Sequence, residues 1–137
     1  SDAMIYSPDV PVFRGDDHQL LEEPFKVAFL SAAACDARDV APLDQAKIAG
    51  AMSARIVKVL AIAQANGHDA LVLGAWGCGN FANDPALIAD LFRQALQGPF
   101  KGAFRRVTFA IIDASADQRC LNQFRLALGQ KASPLNN

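Results

Sequence analysis

The sequence predicts an α/β protein, a three-layer α/β/α sandwich on a mostly parallel or mixed sheet. Two observations carry this. Short apolar runs bounded by turn residues alternate with longer stretches in which apolar residues recur every three or four positions. Their order, strand, loop, helix, strand, helix, implies a crossover between parallel strands, and such crossovers are nearly always right-handed.

The first segment, Ile5 to Glu23, contains Pro8, Pro11, Gly15 and the polar stretch Asp16-Asp17-His18-Gln19. It reads as extended backbone and turns without a helix. A strand is expected at Lys26 to Ser31, running into the small residues Ala32-Ala33-Ala34-Cys35-Asp36, which would let a ligand approach. Between Gln45 and Ala65, Ile48, Met52, Ile56, Val59, Leu60 and Ala63 mark an amphipathic helix that Asn66-Gly67 should stop. Ala70-Leu71-Val72-Leu73 reads as a strand buried on both faces.

Asp84-Pro85 opens a second helix, with Asp84 as N-cap and Pro85 at the first helical position, where the missing N–H costs nothing. Ile88, Leu91, Phe92, Ala95 and Leu96 form its apolar face. A strand from about Arg106 to Ile112 follows. Asp117 then caps a last helix carrying Leu121, Phe124 and Leu128, which Gly129 ends. One domain is expected over residues 4–130, with Ser1-Asp2-Ala3 as a cloning remnant and 131–137 as a frayed tail.

Composition narrows the function. With 137 residues, 52% hydrophobic and 20% charged, the chain belongs with globular proteins, not disordered ones. The net charge of −1 supplies no basic field for nucleic acid. An anionic ligand must therefore be held locally. Uninterrupted apolar runs fall well short of the about 20 residues of a membrane span, so no membrane partner is expected. No signal peptide is recognisable and the three cysteines, Cys35, Cys78 and Cys120, suit reduced thiols, so the expected compartment is the cytoplasm. No metal and no cofactor are expected.

The chemistry concentrates in Gly74-Ala75-Trp76-Gly77-Cys78-Gly79-Asn80-Phe81-Ala82-Asn83-Asp84, three glycines within six positions between a strand and a helix start. Loops at the carboxyl ends of strands expose N–H groups beside the positive end of the next helix. Glycine lets the backbone approach phosphate oxygens closely, so a side chain at Gly77 or Gly79 should clash. The helix end alone gives an exposed anion only about 0.3–1 kcal/mol, so organic parts of the ligand must also be buried. Phe81 is favoured for that, while Trp76 suits a core or a ligand role equally.

A Walker-type loop would require a Lys and a Ser or Thr after the last glycine, and both are absent. Gly77 to Ala82 matches the G-x-G-x-x-A dinucleotide pattern, but the helix starts several residues late and Asp113 is too distant to serve as its acidic partner. A nucleophilic Cys78 would require a neighbouring base that the local sequence lacks, so it reads as a packing residue. His18 and His68 read as surface residues in turns.

The string Leu71 to Gly79, followed by Phe81, Asn83-Asp84-Pro85 and Phe92, resembles the second ligand loop of microbial-type poly(ADP-ribose) glycohydrolases, which are macrodomain-like enzymes. The resemblance extends to Ile5 through Arg14 and to Phe104 through Asp113, and so covers most of the chain. It implies a macrodomain-like fold in which the backbone from Gly74 to Asn80 wraps the ADP-ribose diphosphate and Phe81 packs beside the distal ribose. Val12-Phe13 or Ala32 to Asp36 would line the adenine end.

In that family a GGG segment followed by Gln-Glu-Glu precedes the Tyr-Ser-Pro segment and supplies the glutamate that acts as general acid. The present chain begins at Tyr6-Ser7-Pro8, so the resemblance implies the carboxyl-terminal part of a fold shortened on its amino-terminal side. Glu22-Glu23 has no glycine run before it and reads as a pair of solvated carboxylates. No catalytic residue is assigned and the chain alone is expected to be inactive. The expected partner is ADP-ribose or an ADP-ribosylated protein. Competing readings are a non-catalytic nucleotide-diphosphate module and a structural fragment that self-associates through an exposed sheet edge.

Overall fold

A computed structural model describes residues 2–41 and 44–129. The chain is an α/β protein of two compact units, one ending at Ala33 and the other beginning at Ala34. The tail at 131–137 lies outside the described residues.

The first unit is a β-hairpin. Strand β1 spans Met4–Arg14 and pairs antiparallel with β2, Leu20–Ala32. Both strands are longer than the expected Lys26–Ser31 segment: Pro8 falls at a register break and Pro11 pairs in register with Lys26, so neither ends β1. Pairing shifts between Ser7↔Phe29 and Val10↔Val27, which leaves one extra residue in β1 at Pro8-Asp9, a bulge with Asp9 at φ 55°. The connecting turn closes through Gly15 N–H to Gln19 O at 3.0 Å. Glu22 and Glu23 are exposed on β2, as solvated carboxylates would be.

The second unit contains helix α1 (Gln45–Ala65), strand β3 (Ala70–Leu73), helix α2 (Pro85–Gln97), strand β4 (Arg106–Phe109) and helix α3 (Arg119–Leu128). Strands β3 and β4 pair in parallel, in register from Ala70↔Arg106 to Leu73↔Phe109, with α2 in the crossover between them. Local sequence sets the helix ends. The Asp84 side chain accepts from Ala86 N–H at 3.2 Å with Pro85 behind it, and α1 stops at Asn66 with Gly67 at φ 75°.

Met52, Ile56 and Leu60 of α1 meet Ile88, Ala89, Phe92 and Ala95 of α2, together with Phe100 and Phe124, in one buried cluster. Leu71, Leu73 and Phe109 pack against it from the sheet. The Phe109 ring lies 5.1 Å from Phe92 and 5.3 Å from Phe124, so one strand residue joins two helices. Helix α1 is long and apolar enough by length and composition to cross a membrane, contrary to the reading from uninterrupted runs. Its Met52, Ile56, Leu60 and Ala63 face is buried in this core.

Two expectations fail here. Strand β3 is not buried on both faces: Leu71 and Leu73 face the core while Val72 is 77% exposed. The described helices cover one side of the β3–β4 pair. Asp117 is not the cap of α3 either. The N-cap position belongs to Gln118, in left-handed backbone, with Asp117 accepting from Arg119 N–H at 3.3 Å. The more remote Asp113 accepts from Leu121 N–H at 3.1 Å and is also bonded to Ser115, which holds its carboxyl below the ordinary carboxylate range.

Candidate functional site

The Gly74 to Asp84 loop leaves the carboxyl end of β3 and enters the amino end of α2. Its course is set by its own backbone: Cys78 N–H bonds Ala75 O at 3.0 Å, Ala82 N–H bonds Gly79 O at 2.9 Å and Asn83 N–H bonds Gly77 O at 3.1 Å. The last closes a ring of backbone around Cys78 to Ala82. Two residues take left-handed backbone to achieve it, Gly77 at φ 78° and Ala82 at φ 51°.

Gly77 must be glycine on two counts. Its φ disfavours any L side chain, and a Cβ there would lie 2.5 Å from Asn83 Nδ2 and 2.7 Å from Ala34 Cβ. At Gly79 a Cβ would meet no heavy atom of the described residues within 4 Å, so the fold leaves that position open and the clash expected there is one with a ligand. At Gly74 a Cβ would make an ordinary 3.7 Å contact with Ala110 O.

The aromatic residues divide. Trp76 is half-buried and packs against the hydrophobic core together with Ala75 and Cys78. Phe81 is 38% exposed and the Arg38 guanidinium lies over its ring, 5.9 Å from the centroid. Arg38 is held in turn by Asp36, its Nε 2.9 Å from Oδ1. Hydrogen bonds from the Arg38 side chain and backbone bring the Asp36 carboxyl down to about 2.

Cys78 is poorly suited to act as a nucleophile. Burial, then the neighbouring Cys120 and the Asp84 charge, push its thiol up to about 12. The fold thus brings together Cys78 and Cys120, which are remote in sequence. All three cysteines are free thiols. Among the described residues no group of three or more His, Cys, Asp or Glu side chains is placed to hold a metal ion.

The segment after β2 supplies the second wall. Ala37 N–H donates to Phe81 O at 2.8 Å, and Asn83 Nδ2 donates to Cys35 O at 2.7 Å. Cys35 also faces an open groove of about 420 Å³ bordered by Asp39, Val40, Ala41, Lys47 and Ile48. Of the segments expected near an adenine, Ala34 to Asp36 therefore adjoins the loop within the second unit, whereas Val12-Phe13 belongs to β1 of the first. Sequence reading missed Arg38 and the bridging role of Asn83, since neither has a local signal beyond belonging to a polar stretch.

These features define a class: an α/β protein with a glycine-bearing loop between the carboxyl end of a parallel strand and the start of a helix. No protein-family model matches the chain, and no curated protein matches it either. Solved structures do. Poly(ADP-ribose) glycohydrolase from Deinococcus radiodurans in complex with ADP-ribose is 43% identical with a TM-score of 0.87, over 93% of this chain and 53% of that one. The apo form of the Deinococcus enzyme gives 41% and 0.85, over 93% and 54%. The glycohydrolase from Thermomonospora curvata gives 45% and 0.85, over 93% and 48%. The chain belongs to the microbial poly(ADP-ribose) glycohydrolase family as its carboxyl-terminal part, and spans about half the length of these relatives.

Proposed function

We propose that this chain recognises ADP-ribose through the Gly74 to Phe81 loop, as the carboxyl-terminal part of a glycohydrolase-like, macrodomain-like protein. The observation that carries the reading is the loop itself, closed on Gly77 and open at Gly79, in a chain 43% identical to a glycohydrolase solved with ADP-ribose. In this reading the backbone from Gly74 to Asn80 donates to the diphosphate and Phe81 packs beside the distal ribose. Trp76 supports the loop from the core side.

Cleavage of a ribosyl bond requires a carboxyl group within reach of the leaving oxygen. We assign none of this chain's residues to that role, since neither GGG nor Gln-Glu-Glu occurs in its sequence and Glu22 and Glu23 lie exposed on a hairpin strand. The three free thiols suit a reducing compartment, and we place the protein in the cytoplasm.

Calorimetric titration with ADP-ribose tests the reading. Heat of binding is expected from the intact chain and a weakened response from Phe81→Ala. No heat from the intact chain would refute the proposal.

One observation favours a second reading alongside the first. Val72 and Ile112 lie open to solvent on and just after a two-stranded parallel sheet. A third layer of an α/β/α sandwich would cover that side, supplied by further chain in a longer protein or by a second copy of this one.

A further inference from the structure

Asn83 joins segments 48 residues apart. Its side-chain Nδ2 donates to Cys35 O at 2.7 Å and to Gly77 O at 3.0 Å, while its backbone N–H donates to the same Gly77 O at 3.1 Å. The residue is 2% exposed, so these bonds are shielded from water. Its Oδ1 is buried and accepts no hydrogen bond among the described residues. Buried polar atoms are almost always paired. Packing alone therefore gives no reason for an amide here, whereas its two N–H donors have one: both are used, each on a different wall of the site.

The two carbonyls belong to the pieces that carry the ligand candidates. Gly77 is the left-handed turn of the glycine loop, and Cys35 precedes the Asp36 to Arg38 stretch whose guanidinium lies over Phe81. Ala37 N–H to Phe81 O at 2.8 Å is the next bond along the same seam. The seam holds no further side-chain hydrogen bond between the two walls among those described.

We propose that Asn83 is the positioning residue of the site: it sets the relative placement of the Gly77 loop and the Cys35 to Arg38 wall without touching the ligand. The inference rests on the reading that the loop holds ADP-ribose, and it concerns which residue makes the loop competent.

Hydrogen exchange on the ligand-free chain and ADP-ribose titration, applied to Asn83→Ala, Asn83→Ser and Asn83→Asp, test it. With Asn83→Ala, exchange of the Ala37 and Ala82 amides should accelerate roughly tenfold or more while amides inside α1 keep their rates, and affinity should fall by a similar factor. Serine retains one donor and should recover part of both effects. Aspartate, nearly the same shape, turns an oxygen toward two carbonyls and should resemble alanine. Unchanged Ala37 and Ala82 exchange in both Asn83→Ala and Asn83→Ser would overturn the proposal, as would loosening of the loop without loss of affinity. Should Asn83→Ala fail to fold, the serine and aspartate variants decide by the same criteria. If the intact chain does not bind ADP-ribose the functional reading falls, yet the exchange arm still decides whether Asn83 sets the loop.

Discussion

Replacing Gly77 and Gly79 separately by alanine distinguishes a glycine required by the fold from one required by the ligand. At Gly77, φ 78° places an L residue in left-handed backbone, which costs about 1–2 kcal/mol. The added methyl also meets Asn83 Nδ2 at 2.5 Å and Ala34 Cβ at 2.7 Å, an overpacking that costs about 1–3 kcal/mol. Together these give about 2–5 kcal/mol, a large share of the 5–15 kcal/mol typical of a domain. With a urea slope of about 1–3 kcal/mol per molar, the unfolding midpoint of Gly77→Ala should drop by the order of 1 M or more.

In Gly79→Ala the new methyl meets no atom of the described residues within 4 Å, so the unfolding free energy should stay within about 0.5 kcal/mol of the parent. Its ADP-ribose affinity should nevertheless fall, and fall further in Gly79→Val, because the new side chain stands where the loop backbone is open. Circular dichroism through a urea series reads the first effect and calorimetry the second. The reasoning is refuted if Gly77→Ala melts with the parent, or if Gly79→Val binds ADP-ribose unchanged.

Asp36 should titrate near 2, well below the ordinary 3.8, because Arg38 hydrogen-bonds its charged form; an NMR titration should show this, and Arg38→Ala should return the midpoint to the ordinary value. A depressed acid contributes order above its ordinary value and loses it as pH falls toward the folded one, so the Arg38 contact with Phe81 should loosen between about pH 4 and pH 2 and not above. An Asp36 midpoint near 3.8 in the intact chain would show that the pair does not persist in solution. Sedimentation at micromolar concentration should reveal self-association through the open face of β3–β4, reduced by Val72→Lys, and a monodisperse monomer of the parent would rule this out.

The parts of the fold legible in sequence are those decided by neighbours in the chain. Gln45 to Ala65 reads as a helix because its apolar spacing and its Asn66-Gly67 stop lie within the segment, and Asp84-Pro85 reads as a helix start because cap and proline act on the first turn. Burial of a strand is different in kind. Ala70 to Leu73 is apolar at every position, yet whether Val72 meets protein or solvent depends on what covers the second side of the sheet, which no local pattern states. The hairpin shows the converse: Pro8 and Pro11 read as breakers, but Pro8 sits at a bulge and Pro11 pairs in register with Lys26.

The same distinction runs through the site. Three glycines look alike in the sequence, since the pattern cannot say what a Cβ would touch. A left-handed φ and the nearness of Asn83 and of Ala34, the latter 43 positions before Gly77, make Gly77 obligatory, whereas a Cβ at Gly79 would meet no atom of the described residues within 4 Å, so the fold places no demand for glycine there. Gly79 has no left-handed backbone to explain it and no crowding. In the proposed reading, a glycine that no described residue requires is what close approach of a ligand would select. That is why affinity, and not stability, is the property its substitution should change.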